Sequence, residues 1–185
     1  EMAALSDLST PTLIADGRYS LDVPAGWRQG RGTFAGITIG ALVRAIEHAV
    51  GDPKRTVRSL TAEIPAATAA GAADITAEVL RSGSSVTTAR ASLVQGGETK
   101  THVVGVLAAT RRGHGPASWQ DMAPPEAPPW STVEPLVMGT ESWPEFTQHL
   151  EYRLVDGMPM SGTTWSVGWI RSRHPGGLRD TAHIV

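Results

Sequence analysis

The stretch GTFAGITIGALVRAIEHAVGDP, residues 32–53, changes character twice within a few turns of chain. Gly32 and Gly36 loosen its start. From there Ile39, Leu42, Val43, Ile46, Ala49 and Val50 recur three and four residues apart, the spacing of one buried helical face. Arg44, Glu47 and His48 fall elsewhere on that helix, and for Glu47 a solvated face is expected. Gly51, then Asp52 and Pro53, form a stop, because glycine accepts the left-handed cap and proline cannot extend the helix. A helix over Ile37–Val50 is therefore expected.

On either side the period falls from 3.6 to 2. Upstream, Tyr19, Leu21 and Val23 alternate with polar neighbours, predicting a strand over Tyr19–Trp27 limited by Pro24. Downstream come four strand-like segments: one around Leu60, Ala62 and Ile64, one around Ile75, Ala77 and Val79, one over Ser85–Gln95 and one over His102–Ala109. The last is almost continuously apolar, which predicts cover on both faces. Gly83 and the pair Gly96-Gly97 mark hairpins, and short turns between successive strands imply an antiparallel sheet. The order strand, helix, antiparallel meander is that of an α+β domain with the helix packed on the sheet.

Composition narrows the function. A net charge of -2 with scattered Lys and Arg provides no field for a nucleic-acid backbone, so no nucleic-acid partner is expected. No apolar run approaches the roughly 20 residues of a membrane-spanning helix. Residues 1–16 lack the basic-then-apolar order of a signal peptide, so a soluble, cytoplasmic protein without a membrane partner is expected. With no cysteine there is no disulfide, thiolate metal site or cysteine nucleophile. The histidines show no ligand spacing, so neither metal nor cofactor is expected. A Gly-x-Ser-x-Gly elbow, a Walker loop and a dinucleotide glycine fingerprint are all missing.

Beyond residue 110 the chain turns rich in proline and tryptophan, and 111–144 reads as an extended linker partly ordered by its tryptophans. Alternation returns at Leu150, Tyr152, Leu154 and at Trp165, Val167, Trp169, predicting two more strands, with a helix-like start from Leu178. A lone pair of strands is not a stable domain, so these residues extend the first sheet or begin a second domain.

Three stretches carry a family resemblance. The first is Gly32-Thr33-Phe34-Ala35-Gly36 entering its helix. The second is Arg58-Ser59-Leu60-Thr61-Ala62-Glu63 followed by the strand, turn and strand Glu78–Ser85 and Ala89-Arg90-Ala91. The third is Val167-Gly168-Trp169-Ile170-Arg171 with Gly177-Leu178-Arg179-Asp180. In this order and spacing the chain resembles the type II acyl-CoA thioesterases, a double-hotdog family. The resemblance implies an N-terminal hotdog over 1–110, the linker over 111–144 and the start of a second hotdog over 145–185. It implies hydrolysis of acyl-CoA or acyl-carrier thioesters by a carboxylate-activated water, and a homo-oligomer built through hotdog sheets. The family's carboxylate, carried over from Leu178, falls about five residues beyond Val185. Two other hotdog activities stay open: non-catalytic acyl binding, and a dehydratase or hydratase.

Within the chain the candidates for this chemistry are few. The Gly32–Gly36 loop presents helix-start amides to a thioester carbonyl, with Gly36 as backbone donor, or merely turns the chain. Glu47 lies eleven residues further on, roughly 16 Å along the axis at about 1.5 Å per residue, too far to share that carbonyl. Asp180 and His183, three apart, form an acid/base couple, or Asp180 simply caps a helix start. Arg81, Gly83 and Ser84 form a turn that contacts coenzyme A, or only an exposed hairpin.

Overall fold

The computed structural model describes residues 3–110, 123–139, 142–177 and 180–183. They group into two compact units: 3–110 with 174–177 and 180–183, and 123–139 with 142–173.

In the first unit a short helix α1 (Leu5–Leu8) precedes strands β1 (Thr12–Ala15), β2 (Arg18–Val23), β3 (Arg28–Gln29) and β4 (Gly32–Thr33). The long helix α2 (Ala35–Val50) follows, then β5 (Arg55–Glu63), β6 (Gly71–Ser82), β7 (Val86–Gln95) and β8 (Glu98–Ala109). The sheet runs β1-β2-β6-β7-β8-β5, antiparallel throughout. Five of its strands, β2, β5, β6, β7 and β8, pack against α2. This is the α+β hotdog arrangement expected from the sequence: one long helix held in an antiparallel sheet.

The helix ends where glycine and proline require. Gly51 sits at φ 65°, and its N–H donates to Glu47 O at 3.1 Å. Leu42, Ala45 and Ile46 are buried against Leu21, Ile75, Ala89, Ala91, Leu93, Val103 and Leu107. The small residues opposite the helix have a purpose. Ala77 pairs with Ala91, and Ala89 with Gly105, so the helix can lie close to the sheet. At about 25 cal/mol per Å² of apolar surface, such a core supplies most of the drive to fold. Gly96 and Gly97, both at positive φ, close the β7–β8 hairpin as the sequence predicts.

Strand β8 departs from expectation. Only its residues facing α2 are buried, with half-exposed neighbours between them, because the sheet's other face carries no second layer in this unit. Its continuous apolar run therefore does not report cover on both faces.

In the second unit β9 (Leu150–Asp156) and β10 (Val167–Ser172) form an antiparallel ribbon. The guanidinium groups of Arg153 and Arg171 lie over the Trp130 ring, 4.6 and 4.5 Å from its centroid, and Glu151 binds both arginines. Hydrogen bonding to Arg171 and then to Arg153 holds the Glu151 carboxyl below its ordinary range. Within the described residues, Trp130 of the Pro/Trp-rich segment is thus held by these two arginines. Residues 174–177 and 180–183 pack with the first unit, although the sequence pattern groups them with 145–185. The helix expected from Leu178 lies partly outside the described residues, and Thr181–His183 form a 3-10 turn.

Candidate functional site

A helix start normally borrows a side-chain acceptor from Ser, Thr, Asp or Asn. Helix α2 does not. Its capping position is Phe34, which makes no side-chain cap, and its first turn contains no acid. The first-turn amides have no carbonyl four residues back within the helix, and of these Ile37 N–H donates to Phe34 O at 3.1 Å. A helix start without a polar cap suits a ligand oxygen.

Gly36 has an additional structural reason to be glycine. A Cβ there would stand 2.3 Å from Phe34 Cε1 and 2.8 Å from Cζ, so the missing side chain makes room for the Phe34 ring. That ring stacks on Trp27 at 6.3 Å and 28°. The Phe34 N–H donates to Trp27 O at 2.7 Å, and the Thr33 N–H to Thr68 O at 2.8 Å. Beside this helix start lies a cavity of about 340 Å³, walled by Ala35 and Thr38 of α2, Thr101 of β8 and the loop Ile64–Thr68, with Gln29 and Arg31 at its edge. Its size is at the low end of ligand pockets, about 300 Å³ upward. Thr38 and Thr101 are buried; Thr101 donates to Thr38 at 3.4 Å, and Thr38 to Ala35 O at 3.2 Å. Among the described residues, none walling it is Asp, Glu or His. A larger cavity, about 730 Å³, borders Gly17, Ala49, Ala77 and Val79. We favour the smaller, because it adjoins the uncapped amides.

The turn formed by Arg81, Gly83 and Ser84 lies at the other end of α2. Gly83 N–H donates to Val86 O at 2.8 Å, Val86 pairs with Ala108, and Arg55 Nη2 donates to Ser84 O at 3.2 Å. A sixteen-residue helix is about 24 Å long, so this turn and the Gly36 cavity are not brought together within the unit.

Glu47 corrects the expectation of a solvated face. It is half-buried and accepts a hydrogen bond from Thr181 Oγ1 at 2.9 Å. Burial raises its pKa, and Asp180 adds to this, while the Thr181 hydrogen bond and the charge of Arg44 oppose it. Arg44, also placed off the apolar face by spacing, is the hub of the region. It donates to both carboxylate oxygens of Asp180 at 2.9 and 3.2 Å, to Ser6 O at 2.9 Å and to Ser9 Oγ. Burial alone would raise the Asp180 pKa. The hydrogen bond and charge of Arg44, with His183 adding, outweigh it and hold the carboxyl below its ordinary value. Asp180 and His183 do meet, with His183 Nδ1 3.7 Å from Asp180 Oδ1, but the carboxylate is committed to Arg44. Gly40 completes the stripe, since a Cβ there would meet Ala182 O at 3.3 Å. The stripe Gly40, Arg44, Glu47, spaced four and three, was legible as helical periodicity; its partner, distant in sequence, was not.

No group of three or more potential metal-binding side chains occurs among the described residues. No helix among them is long and apolar enough to cross a membrane.

Residues 23–111 match the family model of the acyl-CoA thioesterase N-terminal domain. No curated protein matches the chain. Among solved structures, a conserved protein of unknown function with a hot dog fold from Alicyclobacillus acidocaldarius is 21% identical, with a TM-score of 0.83, covering 100% of this chain and 67% of its own. An acyl-CoA thioesterase II from Mycobacterium marinum is 23% identical, with a TM-score of 0.72, covering 98% of this chain and 65% of its own. The chain therefore spans about two thirds of the length of each, and at these identities the likeness shows the fold. With residues 23–111 similar to that domain and the fold shared along the chain, the protein has a hotdog fold whose N-terminal part is similar to the acyl-CoA thioesterase N-terminal domain.

Proposed function

We propose that this protein hydrolyses acyl-CoA thioesters, with the thioester carbonyl at the start of α2 and the acyl group in the adjoining cavity. The observation that carries the reading is the helix start itself: a Phe34 cap without an acceptor, no acid in the first turn and a cavity beside it. Amide N–H groups and the helix dipole polarise a carbonyl placed there. The described residues walling the cavity include no carboxylate, so the group that activates water comes from a second hotdog, as the family resemblance implies. Asp180, tied to Arg44, orients the segment approaching that partner and is not the base. The turn of Arg81, Gly83 and Ser84 meets coenzyme A from a neighbouring hotdog, since α2 separates it from this cavity. Strand β5, at the sheet's edge, offers backbone groups for such pairing, within one polypeptide or between copies in a homo-oligomer.

The test follows released thiol from acyl-CoA substrates of two to sixteen carbons, alongside calorimetric binding of S-alkyl-CoA thioethers that cannot be hydrolysed. Turnover, or binding at the α2 start lost on Gly36→Asp, supports the reading. Absence of both overturns it.

A further inference from the structure

A plain hydrocarbon chain needs no polar wall, yet the cavity beside the start of α2 is lined by hydroxyls, an amide and a guanidinium. Two of the hydroxyls are committed within the protein: Thr101 donates to Thr38, and Thr38 to Ala35 O. Thr68 is not. It is only 3% exposed, but its hydroxyl has no hydrogen-bond partner among the described residues and is not sealed inside the protein. Because Thr68 walls the cavity, that hydroxyl is open to what the cavity holds. A nearly buried polar group left unpaired costs free energy, and a ligand oxygen placed there recovers it.

The chain brings a charge to the same place. Gly30, at φ 63°, turns the short hairpin of β3 and β4, in which Gln29 pairs with Gly32. This hairpin sits tightly on the Ile64–Thr68 loop. A Cβ at Gly32 would stand 3.1 Å from Thr68 N and 3.2 Å from Ala67 Cα, and Thr33 N–H donates to Thr68 O at 2.8 Å. Arg31, next to Gly32 in the turn, is thereby held beside Thr68. Among the described residues the side chains of Gln29 and Arg31 have no partner, and Arg31 is the one charged residue walling the cavity. Guanidinium, amide and hydroxyl can all donate to one anion. The phosphates of coenzyme A are too distant for that role, since extended pantetheine separates the thioester sulfur from the nearest phosphorus by about 15 Å. With the carbonyl at the adjoining helix start, the anion Arg31 meets is the acyl group's own.

We propose that the cavity selects short acyl groups ending in a carboxylate, with Thr68 and Arg31 as specificity-determining residues and Gln29 beside them. Its volume of about 340 Å³ suits a chain of few carbons. The inference rests on the thioesterase reading of the same cavity.

Calorimetric binding of S-(3-carboxypropyl)-CoA and S-(4-methylpentyl)-CoA tests this. Neither thioether is hydrolysed, and they differ only at the chain end, where a carboxylate stands in place of an isopropyl group of similar shape. The native chain should bind the carboxylate at least about tenfold more tightly, the scale of a hydrogen bond to a charged group. Thr68→Val keeps the shape and the main-chain bond from Thr33. It and Arg31→Gln should each remove most of that preference while leaving the isopropyl probe, the control for folding, within about twofold. The part due to Arg31 should weaken with added salt. S-(4-hydroxybutyl)-CoA separates charge from polarity and should bind less tightly than the carboxylate; equal binding would overturn the assignment to an anion. Equal binding of the carboxylate and isopropyl probes, or a preference unchanged in both variants, also overturns the inference and leaves the thioesterase reading standing. Binding of none of the three overturns it too, and if no acyl-CoA is turned over either, the thioesterase reading falls with it.

Discussion

Arg44→Ala tests the least expected feature of the first unit. The Arg44 side chain is 9% exposed and that of Asp180 21%, so the pair is well removed from water without being sealed. Removing one partner of a fully buried pair costs about 3–5 kcal/mol, chiefly because the other charge is left uncompensated. Asp180 retains some solvent, which lowers that figure. The loss of bonds to Ser6 O and Ser9 Oγ raises it again. About 3 kcal/mol is the balance, equivalent to a fall of roughly 6–12 °C in melting temperature for a chain of this size. The same substitution in an Asp180→Asn background should cost about 0.5–3 kcal/mol less, the range of coupling between groups in one network. The pH dependence has a definite sign. The folded-state pKa of Asp180 is depressed, so its contribution is present above the ordinary carboxylate pKa and is lost as pH falls through the folded value. The gap between native and Arg44→Ala should narrow on acidification. Thermal melts across pH 3–8 supply the data, and a variant melting within about 2 °C of the native chain at neutral pH would refute the reasoning.

Glu47→Gln should behave oppositely to the loss of Arg44. It keeps an acceptor for Thr181 while removing a carboxylate whose pKa burial raises, so the variant should gain stability as pH rises through that raised value and show no gain in acid; chemical denaturation at pH 4 and pH 8 checks this. Ile46→Asp places a charge at a fully buried position of α2 and should cost several kcal/mol, enough to abolish cooperative folding by circular dichroism; an unchanged melt would contradict the packing of the helix. Thr101→Val removes the hydroxyl behind Thr38 at nearly constant volume. It should weaken thioether binding by no more than a few-fold while changing stability by about 1 kcal/mol, and a complete loss of binding would mean that Thr101 contacts the ligand directly. Sedimentation velocity should show pairing of hotdogs between copies, unless both partners belong to one polypeptide.

Local pattern alone placed α2, its glycine stop and the strands β5–β8, because the 3.6 and 2.0 periods are written into consecutive residues and one buried face enforces each; the meander holds only for β6–β8, since β5 crosses over to pair with β8. The two strands after residue 145 were legible for the same reason. Their number implied by alternation was right, while their bounds were not: β10 begins at Val167 and not at Trp165. The apolar run of β8 misled, since alternation of burial depends on whether a second layer covers the sheet, which no strand records about itself. The candidate site divided along the same line. Gly36 and its loop could be found from the turn into the helix, but the Phe34 ring resting on it required side-chain direction in three dimensions. Glu47 reads as a solvated residue, and Arg44 only as lying off the apolar face, because their partners, Thr181 and Asp180, lie 134 and 136 residues further along the chain. Periodicity reports which face of a helix is apolar. Only the folded chain decides which polar face is also covered, because burial of a charge depends on the arrival of a distant counter-charge.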